Sequence, residues 1–160
     1  MASTVIDTNV IIVATGRGTH ASPQCSARCA RALQAAQRSS IILDDTAGLI
    51  LREYLNKTNL NDGNSPGGNF LRWFLNVRYD PKHVKQVEIG STVSGHKEVI
   101  PNGLHNFDQS DLKFIAVYIA GGGDELLNAT DSDWGQRSSD LVAAGVNVVE
   151  LCKVGAGAVG

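Results

Sequence analysis

Residues 125–134, ELLNATDSDW, run apolar through Leu126 and Leu127, stop at Thr130 and pass at once into Asp131 and Asp133. A short apolar run bounded by turn residues reads as a buried strand. A strand that ends in two carboxylates one residue apart ends either in a solvated turn or at a cation site. Which it is depends on the other acids that the fold brings to the same place.

Similar runs recur along the chain. Strands are expected over 3–7, 41–45 (IILDD), 84–89 (VKQVEI), 125–130 and 146–151 (VNVVEL). Helical spacing fills the gaps. A short helix is expected over 9–15, and one over 22–38 has Pro23 near its start. A third over 46–57 is entered from Asp45 or Thr46, a fourth covers 70–78, a fifth is capped by Ser110 and stopped by Gly121–Gly123, and a last covers 134–145. NDGNSPGGN at 61–69 reads as a loop by composition. Residues 90–109 read as irregular, with a small hairpin around HKEVI.

Strands alternating with helices predict an α/β chain: a three-layer α/β/α sandwich around a mostly parallel sheet of four to five strands. Residues 1–153 are expected to form a single domain and 154–160 a disordered tail. The 42% hydrophobic and 19% charged content is that of a globular chain. A net charge of -2 supplies no overall attraction to polyanions, so binding of nucleic acid would need local basic patches. Three cysteines, Cys25, Cys29 and Cys152, argue against a disulfide scaffold and for a reducing compartment. The first residues lack a basic region and an unbroken apolar run, so no signal peptide or membrane span is expected, and the cytoplasm is the expected location. The sequons at Asn56 and Asn128 carry meaning only in a secreted protein.

In open parallel sheets, function gathers at the carboxyl ends of strands, near the point where strand order reverses. If strands 3–7 and 125–130 are neighbours, Asp7, Asp131 and Asp133 share one edge. Asp111 opens a helix, and Glu53 lies within the apolar helix sequence LILREYLN. Each has an ordinary reading alone: Asp7 with Thr8 and Asn9 as a helix cap, Glu53 as a solvated side chain, Asp111 as a dipole-favouring acid, Asp131 and Asp133 as turn residues. Together they would repel unless a cation compensates, and hard oxygen ligands suit Mg²⁺ or Mn²⁺.

Asp7-Thr8-Asn9 after a first strand, Glu53 in LILREYLN, Asp111 in FDQSDLKFIAVYIA and NATDSDW together resemble PIN-domain nucleases, in order, over roughly residues 3–151. The resemblance implies a compact α/β/α sandwich and metal-dependent endoribonuclease activity, as in the VapC-like toxins of bacterial toxin–antitoxin pairs. It implies Asp7, Glu53, Asp111 and Asp131 as the acidic set, Asp133 as an outer acid, and Thr8, Asn9 and Thr130 as polar support. It also implies an RNA substrate, a cognate antitoxin and a habit of dimerising. The segments 61–69 and 90–109 are longer than a minimal toxin of this kind needs.

Arg17 and Arg137 are placed to border the cleft, and Trp134 to stack on a base, although covering the sheet is an equal role for it. Arg78, Lys82, His83 and Lys85 make a second basic cluster, while Trp73 and Phe74 read as core. Two other functions stay open: a nuclease acting on DNA, and a catalytically silent binding module. The chain has no phosphate-binding GxxxxGK[ST] loop, no GxSxG elbow, no DxD after the first strand and no calcium-loop spacing. Cys25 and Cys29 stand at i, i+4, where zinc ligation is weaker than plain burial as an explanation.

Overall fold

The computed structural model describes residues 1–16, 20–59, 63–92 and 94–152. Arg17 and the expected tail at 154–160 lie outside the described residues. The strands are β1 (Ala2–Ile6), β2 (Ser40–Asp45), β3 (Val84–Val87), β4 (Glu125–Asn128) and β5 (Val148–Glu150). The helices are α1 (Thr8–Thr15), α2 (Pro23–Ser39), α3 (Leu49–Lys57), α4 (Pro66–Val77), α5 (Leu112–Gly121), α6 (Ser132–Gln136) and α7 (Ser138–Ala143).

The five strands form one all-parallel sheet in the order β3-β2-β1-β4-β5. Strand order reverses beside β1, and β4 is its neighbour there, with Val5 opposite Leu126 and Ile6 opposite Leu127. Parallel strands covered on both faces must be apolar throughout. Val5, Ile6, Ile42, Leu43, Leu126 and Leu127 are accordingly all buried.

Right-handed crossovers put the β1-to-β2 and β2-to-β3 helices on one face, and the connection that jumps back to β4 on the other. The packing follows: α1 lies against α2 and α4, while α5 covers β1 through β4. The result is a three-layer α/β/α sandwich. Helix α3 touches both α1 and α5, so it bridges the layers. Its Tyr54 is buried and donates a hydrogen bond to the carbonyl of Ile6 at 2.6 Å, which ties α3 to the carboxyl end of β1.

Local chemistry moves several expected boundaries. Helix α4 begins at Pro66 because Ser65 caps it, accepting from the amide of Gly68. Gly67 is needed there: a Cβ would stand 2.3 Å from the carbonyl oxygen of Ile11 in α1. So part of the expected loop 61–69 is a helical packing surface, and residues 60–62 lie outside the described ones. Asp45 does cap α3, accepting from Leu49 and Ile50 at 2.9 and 2.8 Å, but the chain first turns through Gly48 at φ +79°. The expected helix 134–145 starts earlier, at Ser132, and breaks at Arg137 into α6 and α7. No strand forms around HKEVI; turns and a 3₁₀ turn at Asn102–Leu104 occupy that region.

The cysteine expectation is overturned. Cys25 and Cys152 form a disulfide, and Cys29 stays a buried thiol. Cys25 in α2 and Cys152, two residues past β5, are 127 positions apart and meet only in the folded chain, a proximity that residue spacing does not carry. The basic cluster also dissolves. Arg78 is buried in an ion pair with Asp44 at 2.6 Å, and Lys85 donates to the carbonyl of Gly121. Among the described residues no helix is long and apolar enough to cross a membrane.

Candidate metal centre

The chain leaves β1 at Asp7, whose amide still donates to Leu127 of β4 at 3.1 Å. Asp7 is the cap of α1, as its residue type suggests: Oδ1 accepts from the amide of Asn9 at 3.2 Å. Its other oxygen accepts from the indole Nε1 of Trp134 at 2.7 Å. The residue is only 4% exposed. Burial pushes its carboxyl up to about 7; the two hydrogen bonds resist this, while the charges of Asp131 and Glu53 add to it.

Asp111 stands at the head of α5 in the position expected of Ser110, yet its side chain makes no capping bond. Ser110 is drawn away instead, its hydroxyl donating to Asp108 at 2.6 Å. Asp111 as a residue is 6% exposed, and its carboxyl, which makes neither a hydrogen bond nor an ion pair to a described residue, keeps its oxygens open to the cleft. Burial first, then the charges of Asp7, Asp131, Asp108 and Glu53, push it up to about 8.

Asp131 caps α6, accepting from the amide of Asp133 at 2.9 Å, and burial is the main cause that raises its carboxyl. Asp7, Asp111 and Asp131 each bring a carboxylate oxygen within 4.8 Å of the others. Asp111 belongs equally to a second such group with Asp108 and Asp133, on the more open side. Asp108 was missed as a site residue, although it stands in FDQSDLKF three positions before Asp111. Its carboxyl is held low mainly by its hydrogen bonds from Ser110.

Glu53 is not a member of either group. Its carboxylate accepts from Lys113 at 2.7 Å and from the Thr8 hydroxyl, so it is neutralised at the border of the cleft. Lys113 sits two residues after Asp111, and its reach to α3 is a tertiary fact. Thr8 thus supports Glu53 rather than a metal. Asn9 joins the ends of β1 and β4 through bonds with Asn128 and the amide of Ala129. Thr130 lies exposed on the rim, outside this network.

Asn128 is the organiser that the sequence reading passed over as a sequon. Fully buried, it donates to the Asp131 carbonyl and to Glu150, and it accepts from Asn9 and from the amide of Asp131. An amide used in this way is not free to carry a glycan. Its signal was its place at the last residue of a strand, directly before the acids.

Of the two described residues expected to meet nucleic acid, Trp134 is buried and Arg137 does border the acidic cleft. Trp134 is 1% exposed and packs against Phe107 with centroids 5.0 Å apart, so it stacks on protein and not on a base. Arg137 borders a cleft with Asp108 and Asp133, but its guanidinium is engaged by Asp140, the Gly103 carbonyl and Asn106.

No protein-family model, no curated protein and no solved structure matches this chain. The chemistry of the site therefore stands on its own donors. Two buried carboxylates and the partly buried one of Asp131 face one another, and the ammonium of Lys113, two residues from Asp111, is bound to Glu53. Such a group either keeps protons to pH values near neutral or takes up a cation. All-oxygen, anionic donors, one of them without a partner among the described residues, fit Mg²⁺ or Mn²⁺ and not zinc.

Proposed function

We propose that the protein is a Mg²⁺- or Mn²⁺-dependent nuclease that hydrolyses phosphodiester bonds, with RNA as its substrate. The observation that carries this reading is the meeting of Asp7, Asp111 and Asp131 at the reversal of strand order, with one oxygen of each within 4.8 Å of the others and the Asp111 carboxyl without hydrogen bond or counter-charge among the described residues. Asp7, Asp111 and Asp131 would hold the ion, with Asp133 and Asp108 on the open side. When bound, the ion activates water and neutralises charge on the phosphate.

The chain's own groups do the rest. Trp134 and the Asn9 amide keep the Asp7 oxygens oriented, Asn128 holds the turn that carries Asp131, and Asp111 gives up its proton when the site is loaded. Glu53 holds Lys113 at the edge of the cleft. A cognate antitoxin and a homodimer belong to the same proposal through the family resemblance. So does a cytoplasmic location, which meets an opposing observation in the Cys25–Cys152 bond, since disulfides persist in oxidising compartments.

The test is thermal melting of wild type and Asp111→Asn with and without millimolar Mn²⁺, followed by incubation with single-stranded RNA, duplex DNA and branched DNA. A ligand that binds only the folded state raises the melting point. Stabilisation of the wild type alone, with Mn²⁺-dependent cleavage of RNA, is expected. Cleavage of DNA alone would move the substrate. Indifference of both proteins to Mn²⁺ would leave a silent binding module as the better reading.

A further inference from the structure

A pocket of about 440 Å³ opens beside the carboxylates, within the usual range of about 300–1,000 Å³ for ligand sites. It shares a border with them: Glu53 and Lys113 belong to its wall, as does Leu112, the neighbour of Asp111. Its charge is opposite. Arg52, Lys57 and Lys113 stand against the single carboxylate of Glu53, which is three positive charges to one negative.

Arg52 and Lys57 project from adjacent turns of α3, and neither side chain makes an ion pair or hydrogen bond to a described residue. The pocket lining also includes His96. It is the one described non-glycine residue with positive φ, at +60°, and it follows Gly95 at +66°. Such backbone costs on the order of 1–3 kcal/mol and persists where the surroundings enforce it, often at ligand sites. The His96 ring is 5% exposed, and its Nδ1 donates to the Ile89 carbonyl at 3.0 Å. Nε2 is left without a partner among the described residues, on a buried ring in the pocket wall.

Leu49 and Leu112 give the pocket apolar sides, and Gly95 gives it a bare patch of backbone. Free cations, an unpartnered ring nitrogen and apolar walls match the three parts of a nucleotide: phosphate, base edge and base face. A base enters such a pocket only when it is unpaired, which favours a single strand over a duplex.

Resting on the nuclease reading above, we infer that this pocket binds one unpaired nucleotide of the strand whose scissile phosphate lies at the carboxylates. Arg52 and Lys57 take its phosphate, and His96 with the leucine walls takes its base. Cleavage is then selective for the base at that one position.

The experiment is calorimetric titration in metal-free EDTA buffer with the four nucleoside 5′-monophosphates, and with inorganic phosphate as the anion-only control. The proteins are wild type, Arg52→Ala/Lys57→Ala and His96→Gln, with Mn²⁺ melting shifts recorded on each. At least one monophosphate should bind the wild type more tightly than phosphate does. Losing both cations should weaken it by about ten- to hundredfold, the worth of a charge-assisted contact. His96→Gln should reduce the preference among bases while leaving phosphate affinity unchanged. Arg52 and Lys57 are exposed, so their replacement leaves the fold intact even if His96→Gln does not. No monophosphate binding at millimolar concentration, no advantage over phosphate, or affinity untouched by Arg52→Ala/Lys57→Ala would overturn the inference while Mn²⁺ stabilisation keeps the nuclease reading. Absence of a Mn²⁺ shift with monophosphate binding intact would do the reverse, sinking the nuclease and keeping the nucleotide pocket.

Discussion

The indole Nε1 of Trp134 donates to Asp7 Oδ2 across 127 positions of sequence, at 2.7 Å and out of contact with water. The bond fixes which way the Asp7 carboxylate faces, and it opposes the effect of burial on that group. Replacing Trp134 by Phe keeps most of the packing against Phe107 and removes the donor. Stability should fall by about 1–3 kcal/mol, and the Asp7 carboxyl should move above about 7. Mn²⁺ affinity at pH 7 should fall with it and recover as pH is raised, which a calorimetric titration at two pH values reads directly.

The metal-free protein should lose stability as pH rises. Asp7 and Asp111 stand at about 7 and about 8 against an ordinary 3.8, so between those values the folded chain binds more protons than the unfolded one. Their contribution is fully present below pH 3.8 and is lost as pH passes through about 8. Asp111→Asn should flatten this slope and leave the apo protein more stable than wild type at pH 9. Urea unfolding from pH 4 to 9 in EDTA measures it; a slope unaffected by the substitution would show that Asp111 is not the buried, unpaired acid described above. Adding Mn²⁺ at pH 8 should stabilise only the wild type.

Asn128→Ala should be among the most damaging changes near the site. It leaves the Asn9 amide and the Asp131 backbone without their Asn128 partner and takes one hydrogen bond from Glu150, each loss at a buried group costing about 1–3 kcal/mol. Mn²⁺ affinity should fall even where the protein still folds, because the turn carrying Asp131 is no longer held. Denaturant unfolding and Mn²⁺ titration on the same sample separate the two effects, and unchanged affinity would show that Asp131 is set by α6 alone.

The Cys25–Cys152 bond closes a loop of 127 positions. Removing it by Cys25→Ser, or by reductant, should cost about 2–5 kcal/mol. Alkylation of the denatured, unreduced protein should label one thiol, Cys29, against three after reduction. Three labels before reduction, in protein taken directly from cells, would mean that the bond does not form there and would restore the reducing compartment.

Much of this architecture was legible in the residues. The apolar runs at 41–45 and 125–130 predict strands because both faces of a parallel strand are covered, and parallel pairing follows from the helices between them. The adjacency of β1 and β4 is what brings Asp7 to Asp131; the reversal rule poses it as a condition, and the pairing of the strands meets that condition. Boundaries shifted where one side chain captured an amide, as Ser65 does for α4 and Asp45 for α3.

By itself, then, the sequence determined the α/β alternation, the parallel sheet and the acids at its carboxyl edge, because periodicity and strand-end chemistry are local properties. Tertiary structure alone decided the pairings between distant elements. Lys113 neutralises Glu53, Trp134 is buried on Asp7 instead of facing a base, Asp108 joins Asp111, and Cys25 meets Cys152. Each of these depends on the direction of a side chain across a gap between elements, and a charge or thiol in a linear sequence carries no mark of the partner that packing will bring to it.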